Sequence, residues 1–361
     1  MANLNDKIYE ENAVQDQPPN GVTNSGAQPD AKSRRSSGKT WLKSIWIWIV
    51  VLVIVGVILW VLIPGIRGRS LGTLEGHTGI AMSMAFSPDG NTLALGKWNG
   101  TISLWDMSSG ALVVTMEGEN WLESLAFSPD GRTLASCAGG TIQLWDVGSG
   151  AMLAAFEEAK GSLRSVAFSP DGHILASGGY DGVSLWEVSS GALLNTMEEE
   201  GTWVKSVAFS PDGQTLAAAF WNDIRLFDVN SGALLDILEG QGLSGSVESV
   251  AFSPDGNTLA SGGYAGISFW DVSSGTLLVK REDIGIVNSV AFSPDGCWLA
   301  SGNSGGTIHL WNMSSGRWVD KLHGHTDGVL CVAFSPDGNM LVSSSRDNTV
   351  RLWFIKHKLG K

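Results

Sequence analysis

SVAFSPDGHILASGGYDGVSLWEVSSGALLNTM, residues 165–197, decides the fold. Residues 165–179 hold two apolar runs split by SPDG. Pro170 fixes φ for a tight turn, Asp171 bonds back to the backbone, and Gly172 takes a positive φ. The pair reads as a β-hairpin. A third run ends at Trp186-Glu187, a turn follows at SSG, and ALLNTM (192–197) makes a fourth run.

The unit recurs. AFSPDG appears seven times unchanged, with its Phe at 86, 127, 168, 209, 252, 292 and 334, so the spacings are 41, 41, 41, 43, 40 and 42. A period in this range, built of strands, predicts a β-propeller in which each repeat supplies one four-stranded blade. The third run ends in Trp-Asp or a relative each time: Trp105-Asp106, Trp145-Asp146, Trp186-Glu187, Phe227-Asp228, Trp270-Asp271, Trp311-Asn312 and Trp353-Phe354. The chain stops eight residues after Trp353, leaving the last repeat without a fourth strand. An orphan fourth strand, roughly Ser70–Leu74 in SLGTLEGH, precedes the first AFSPDG and matches ALVVTMEG (111–118). The N-terminal strand is therefore expected to complete the last blade and remove two open sheet edges. The fold class predicted for residues 70–361 is all-β, a seven-bladed propeller of four-stranded antiparallel blades.

Two other zones precede it. Residues 1–40 are rich in Asn, Gln, Ser, Pro, Gly and charge, a composition that predicts a disordered polar tail. Its GKT at 38–40 is no phosphate loop, because Ser33 stands where that motif needs Gly. Residues 41–66 are assigned to a transmembrane α-helix, with IWIWIVVLVIVGVILWVLI (45–63) as its uncharged core. A helix of that length spans roughly 28 Å, close to the bilayer core. Trp46, Trp48 and Trp60 fit aromatic belts, and IPGIRGRS offers no small-x-small cleavage site. Lys32, Arg34, Arg35, Lys39 and Lys43 precede the run and Arg67 and Arg69 follow it, which predicts a cytoplasmic N-terminus and an extracytoplasmic propeller.

Residues 70–361 hold 31 acidic and 15 basic residues, a net charge of −16. Such a domain repels phosphate backbones, so nucleic acid is set aside as a partner. Cys137, Cys297 and Cys331 are too few and too scattered for a disulfide framework.

The repeats resemble the WD-repeat family, over residues 70–361. The near-identity of the copies fits recent internal amplification, common in bacterial-type members. The resemblance implies a buried hydrogen-bonded tetrad of His, Ser or Thr, Asp and the repeat Trp. Blade seven matches it fully with His325, Ser343, Asp347 and Trp353. Blade one keeps His77 and Trp105 but has Leu95 and Asn99 at the other places, and blade three keeps Ser177, Asp181 and Trp186 without the His. Blades two, four, five and six lack both the His and the aligned Asp.

Ser343, His325 and Asp347 look like a hydrolase triad, but the resemblance makes them a structural network around an indole. His323 and His325 lack further metal ligands. The turn Asp residues do not follow the Ca²⁺-loop spacing. No cofactor motif is present, and no enzyme is predicted.

Strand order puts the SPDG and SSG turns at one end of each blade. The loop entering the first strand and the turn between the second and third lie at the other end, the top, where family members usually bind partners. Trp98, Trp121, Tyr180, Trp203, Trp221 and Tyr264 fall there, as an arc over blades one to five. Exposed Trp and Tyr are interface anchors. Met82, Arg164, Lys205 and Asn288 lie beside them and could form a polar rim. The expected partner is a protein or peptide, and the bilayer is expected to hold the helix. The alternatives are an extracytoplasmic small-ligand receptor or propeller enzyme, and a signalling protein whose N-terminal tail reports occupancy. With only about six residues between span and clasping strand, the membrane is expected by the bottom face.

Overall fold

Each SPDG turn is locked by its own serine. In blade three the Ser169 hydroxyl donates to Asp171 Oδ1 at 2.5 Å and accepts the Ile174 amide at 3.0 Å. The same pair of bonds recurs at Ser87, Ser128, Ser210, Ser253, Ser293 and Ser335. The turn therefore closes on side-chain as well as backbone bonds, and the apolar runs on either side pair as strands. Blade three comprises Leu163–Phe168, Ile174–Gly179, Gly182–Glu187 and Leu193–Met197, paired antiparallel in that order.

This computed structural model describes residues 72–74, 79–119, 121–157, 161–197, 203–239 and 245–355. The chain divides into two compact units, Met1–Ile63 and Pro64–Lys361, and all described residues belong to the second. The tail expected at 1–40 and the helix expected at 41–66 lie outside the described residues. Among the described residues no helix is long and apolar enough to cross a membrane. They form seven four-stranded antiparallel sheets.

The sheets close into a ring. The first strand of each blade packs on the first strand of the next, and Val329–Phe334 of blade seven packs on Ala81–Phe86 of blade one. At the bottom, a Cβ on Gly131 would lie 3.3 Å from Cδ of Pro88 in the preceding blade, and the relation runs round to Gly90 against Pro336. Near the axis a serine of the first strand of blades one to six accepts a backbone amide of the next blade. Ser83 takes Leu125 N at 3.0 Å, Ser165 takes Val207 N at 3.1 Å, and Ser289 takes Val332 N at 3.1 Å. Ser124, Ser206 and Ser249 do the same. At the seam between blades seven and one the position is Cys331, whose thiol instead lies 3.9 Å from the Met84 carbonyl oxygen. Burial pushes that thiol's pKa up.

The N-terminal strand completes blade seven. Gly72–Thr73 pairs antiparallel with Val350–Phe354, Gly72 facing Leu352 and Thr73 facing Arg351. The Leu74 amide adds a bond to Val350 O at 3.0 Å. Leu74 is buried with Met84, Trp105, Val342 and Val350, so one apolar cluster spans blades seven and one. Comparable clusters of Leu, Val, Ala and Trp fill the other seams. Burial of apolar surface between blades, at about 25 cal/mol per Å², is what holds the ring.

The outer strands depart from simple alternation. In blade three Trp186 faces Leu193 and Leu185 faces Asn195, so Leu194 is a bulge residue. Val113, Leu153, Leu235, Leu278 and Val319 occupy the same place. Two successive large apolar residues are therefore exposed on each of these strands. The bulge twists an otherwise open edge away from straight pairing.

Candidate functional site

The two sets of top-face positions meet through backbone hydrogen bonds. Trp98 N donates to Ile80 O at 3.2 Å, Tyr180 N to Ser162 O at 3.2 Å and Tyr264 N to Ser246 O at 3.1 Å. Across a seam, Trp121 N donates to Trp98 O at 2.7 Å. The Trp98 and Trp121 loops are thus tied to each other, and the Trp98, Tyr180 and Tyr264 turns each to the loop entering the first strand of their own blade.

Five of the six arc residues reach solvent: Trp98 is 48% exposed, Trp121 60%, Tyr180 42%, Trp221 53% and Tyr264 57%. None of these five is buried, although the Tyr180 ring also packs against Trp203 of the next blade. Trp121 also holds φ at 66°, left-handed backbone that a bulky residue rarely adopts. Trp203 is different. It is half-buried, its ring 5.1 Å from Tyr180 edge-on, with the Arg164 guanidinium 5.2 Å from its centroid. Arg164 in turn is ion-paired with Glu123. Residues of blades two, three and four therefore lock Trp203 in place.

The polar residues around the mouth are largely engaged with one another. Lys205 Nζ lies 3.8 Å from Glu248, and Asn288 Nδ2 donates to Val329 O at 2.7 Å. Arg225 pairs with Asp223 at 3.1 Å and lies 4.3 Å from the ring of buried Phe220, beside exposed Trp221. Glu123 and Glu248 were not singled out by sequence reasoning. Their signal is position: each is the second residue of its first strand, as Arg164 is of its own, and Lys205, just before Ser206–Phe209, stands at the same distance from its repeat Phe.

In blade seven His325 Nε2 lies 2.7 Å from Ser343 Oγ, Nδ1 lies 3.0 Å from Asp347 Oδ2, and Trp353 Nε1 donates to Ser343 Oγ at 2.8 Å. Burial pushes the His325 pKa down, so the ring is neutral near pH 7. With Nδ1–H donated to Asp347, Nε2 accepts the Ser343 hydroxyl proton, whose oxygen accepts the indole. Burial alone would raise the Asp347 carboxyl, but the Thr349 hydroxyl, the Thr326 amide and His325 together hold it down at about 2. The serine of this set thus has its proton committed to a buried imidazole, and its oxygen to an indole.

The Trp–Ser half of the network persists elsewhere. Trp145 donates to Ser136, Trp186 to Ser177 and Trp270 to Ser261, each at 2.9 Å, and Trp311 to Ser301 at 2.8 Å. Blade four has Ala218 and Phe227 instead, removing donor and acceptor together. Blade one has Leu95 with Trp105, and Trp105 Nε1 is buried without a partner. His77 lies outside the described residues. Among the described residues no group of His, Cys, Asp or Glu is placed to hold a metal ion.

Known proteins match in keeping with this architecture. A 53-residue stretch is 38% identical to small ribosomal subunit protein RACK1z of Arabidopsis thaliana and covers 15% of this chain and 16% of that protein. RACK1 of Brassica napus matches to the same extent. Protein Mut11 of Chlamydomonas reinhardtii is 42% identical over 52 residues, 14% of each chain. The chain thus spans about a sixth of the length of these relatives. The profile of one repeat family, described as WD domain, G-beta repeat, matches residues 68–106, 110–146, 150–183, 191–228, 232–271, 280–312 and 316–353. Seven matched segments, one for each blade and together most of the chain, place the protein in the WD-repeat family.

Proposed function

We propose that this propeller is a non-catalytic interaction module that binds a protein or peptide on its top face. The observation that carries the reading is the set of exposed aromatics Trp98, Trp121, Tyr180, Trp221 and Tyr264 at the same end of five successive blades. Large rigid aromatics lose little entropy on binding and supply most of an interface's energy. The polar side chains at the mouth pair mainly with each other rather than converging on a ligand, which favours this reading over a small-ligand receptor or enzyme. Two relatives are named as ribosomal subunit proteins, in keeping with a role within an assembly.

The test combines Trp98→Ala, Trp121→Asn and Trp221→Ala. Asn tolerates the left-handed backbone at 121. The triple variant is expected to keep the wild-type melting temperature and to lose crosslinked capture of the partner on whole cells. Capture undiminished at unchanged stability would remove the arc from the interface.

The membrane placement is part of the same proposal. The apolar run 45–63 and the excess of basic residues before it support a single span with the propeller outside the cytoplasm. Protease added to intact cells is expected to remove a C-terminal tag. A tag that survives until lysis, in a chain destabilised enough to be digested once cells are open, would place the propeller in the cytoplasm.

A further inference from the structure

The Tyr180–Asp181 corner of blade three is unlike the rest of the top face. Asp181 Oδ2 is buried and has no hydrogen-bond partner. At the aligned place in blade seven, Asp347 accepts from His325 and from the Thr326 amide. Blade three has Ala159 where blade seven has His325, so the sequence supplies no imidazole. Gly161 widens the corner: a Cβ there would lie 3.0 Å from Tyr180 Cβ and 3.2 Å from Asp181 Oδ2.

The walls have a definite chemistry. Tyr180 presents a partly exposed ring, held edge-on against Trp203 at 5.1 Å. Aromatic faces attract cations, and a carboxyl oxygen beside one strengthens the attraction. The chain already uses such contacts, with Arg164 5.2 Å from Trp203, Arg225 4.3 Å from Phe220 and Lys321 4.7 Å from Trp318. The described cations on the top side of this blade and the next are taken: Arg164 pairs with Glu123, Lys205 with Glu248 and Arg225 with Asp223. The corner is left with an aromatic ring, a carboxyl oxygen without a donor, and no described cation to meet them. The domain's net charge of −16 adds long-range attraction for a positive ligand.

We infer that this corner receives a cationic side chain, the ammonium of Lys or the guanidinium of Arg, from the bound peptide. The inference rests on the top face being the binding face and adds the chemistry of one position in the partner. The cation lies against the Tyr180 ring and donates to Asp181 Oδ2. The exposed tryptophans on either side hold the apolar residues flanking it.

The experiment uses the full chain in detergent micelles and a short peptide of alternating apolar and Lys or Arg residues. Controls carry norleucine for Lys and citrulline for Arg. The cationic peptide is expected to bind, and the uncharged controls about tenfold more weakly or less. Asp181→Asn and Tyr180→Leu are each expected to reduce binding of the cationic peptide by a similar factor and to leave the control peptides unaffected. Asp181→Asn should keep or raise the melting temperature, because it removes the charge from a carboxyl with one buried oxygen that has no donor. A merely structural aspartate would lower it. Equal binding of cationic and uncharged peptides, or no binding of either, overturns the inference. Loss of peptide binding in the Trp98, Trp121 and Trp221 triple variant, with full charge preference retained by Asp181→Asn, would leave the binding face standing and remove the corner from it.

Discussion

Gly266→Ala is expected to unfold at a much lower denaturant concentration than the parent chain, with a loss of roughly 4 kcal/mol. Gly266 opens the third strand of blade five with φ at 85°, and a Cβ there would stand 2.0 Å from the Arg281 carbonyl oxygen. That oxygen belongs to the neighbouring outer strand, whose Arg281 faces Ile267 in register. Backbone on both sides must move, and the blade's last rung opens. Left-handed backbone alone costs an L-residue about 1–2 kcal/mol. Gly285 supplies the control, since its φ is 75° but nothing lies within 4 Å of its Cβ position. Gly285→Ala is expected to lose only about 1 kcal/mol. Equal midpoint shifts for the two variants, measured in urea, would mean that conformation and not crowding sets the cost.

Ser343→Ala is expected to cost roughly 3 kcal/mol, more than any other single hydroxyl deletion among the tetrad positions. The lost oxygen accepts Trp353 Nε1–H at 2.8 Å, and its proton serves His325 Nε2 at 2.7 Å. Both buried groups are then left unsatisfied, at about 1–3 kcal/mol each before relaxation. Ser301→Ala in blade six strands only the Trp311 indole and is expected to cost about half as much. Adding Trp311→Phe to Ser301→Ala reproduces the pairing blade four already has in Ala218 and Phe227. The double change should cost less than the two single changes summed. Thermal melts of the four variants decide it. Strict additivity would show that the hydroxyl acts by filling space and not by pairing.

The ring and its clasp were legible because they follow from local, repeated signals. SPDG specifies a turn whatever surrounds it, and seven copies at one period specify seven sheets. An orphan strand at one end and a missing one at the other specify closure. The clasp read as roughly Ser70–Leu74 pairs at Gly72–Thr73 and adds a bond at Leu74, while Ser70 and Leu71 lie outside the described residues. The top face was legible by position but not by exposure. Trp203 and Trp221 look alike in sequence. Yet Trp203 is held between Tyr180 and Arg164, side chains of another blade, whereas beside Trp221 it is Phe220 that turns inward under Arg225. Such contacts depend on three blades meeting in space, and no repeat period encodes them. The bulges at Val113, Leu153 and Leu194 were hidden for a related reason. Alternation reads two successive apolar residues as one in and one out, but the inserted residue leaves both facing solvent.

The pairing of Thr73 with Arg351 also sets how the molecule comes together. Six blades consist of neighbouring segments and can form from local hairpins in any order. The seventh joins the two ends of nearly the whole domain. Closing so long a loop costs about 5 kcal/mol of chain entropy, and only two paired residues, one further bond and the buried Leu74 cluster at that seam set against it. Non-local contacts of this kind are the slow ones in folding. Sequence separation thus predicts that this pairing is the slow step, the one at which the first-made strand is placed last.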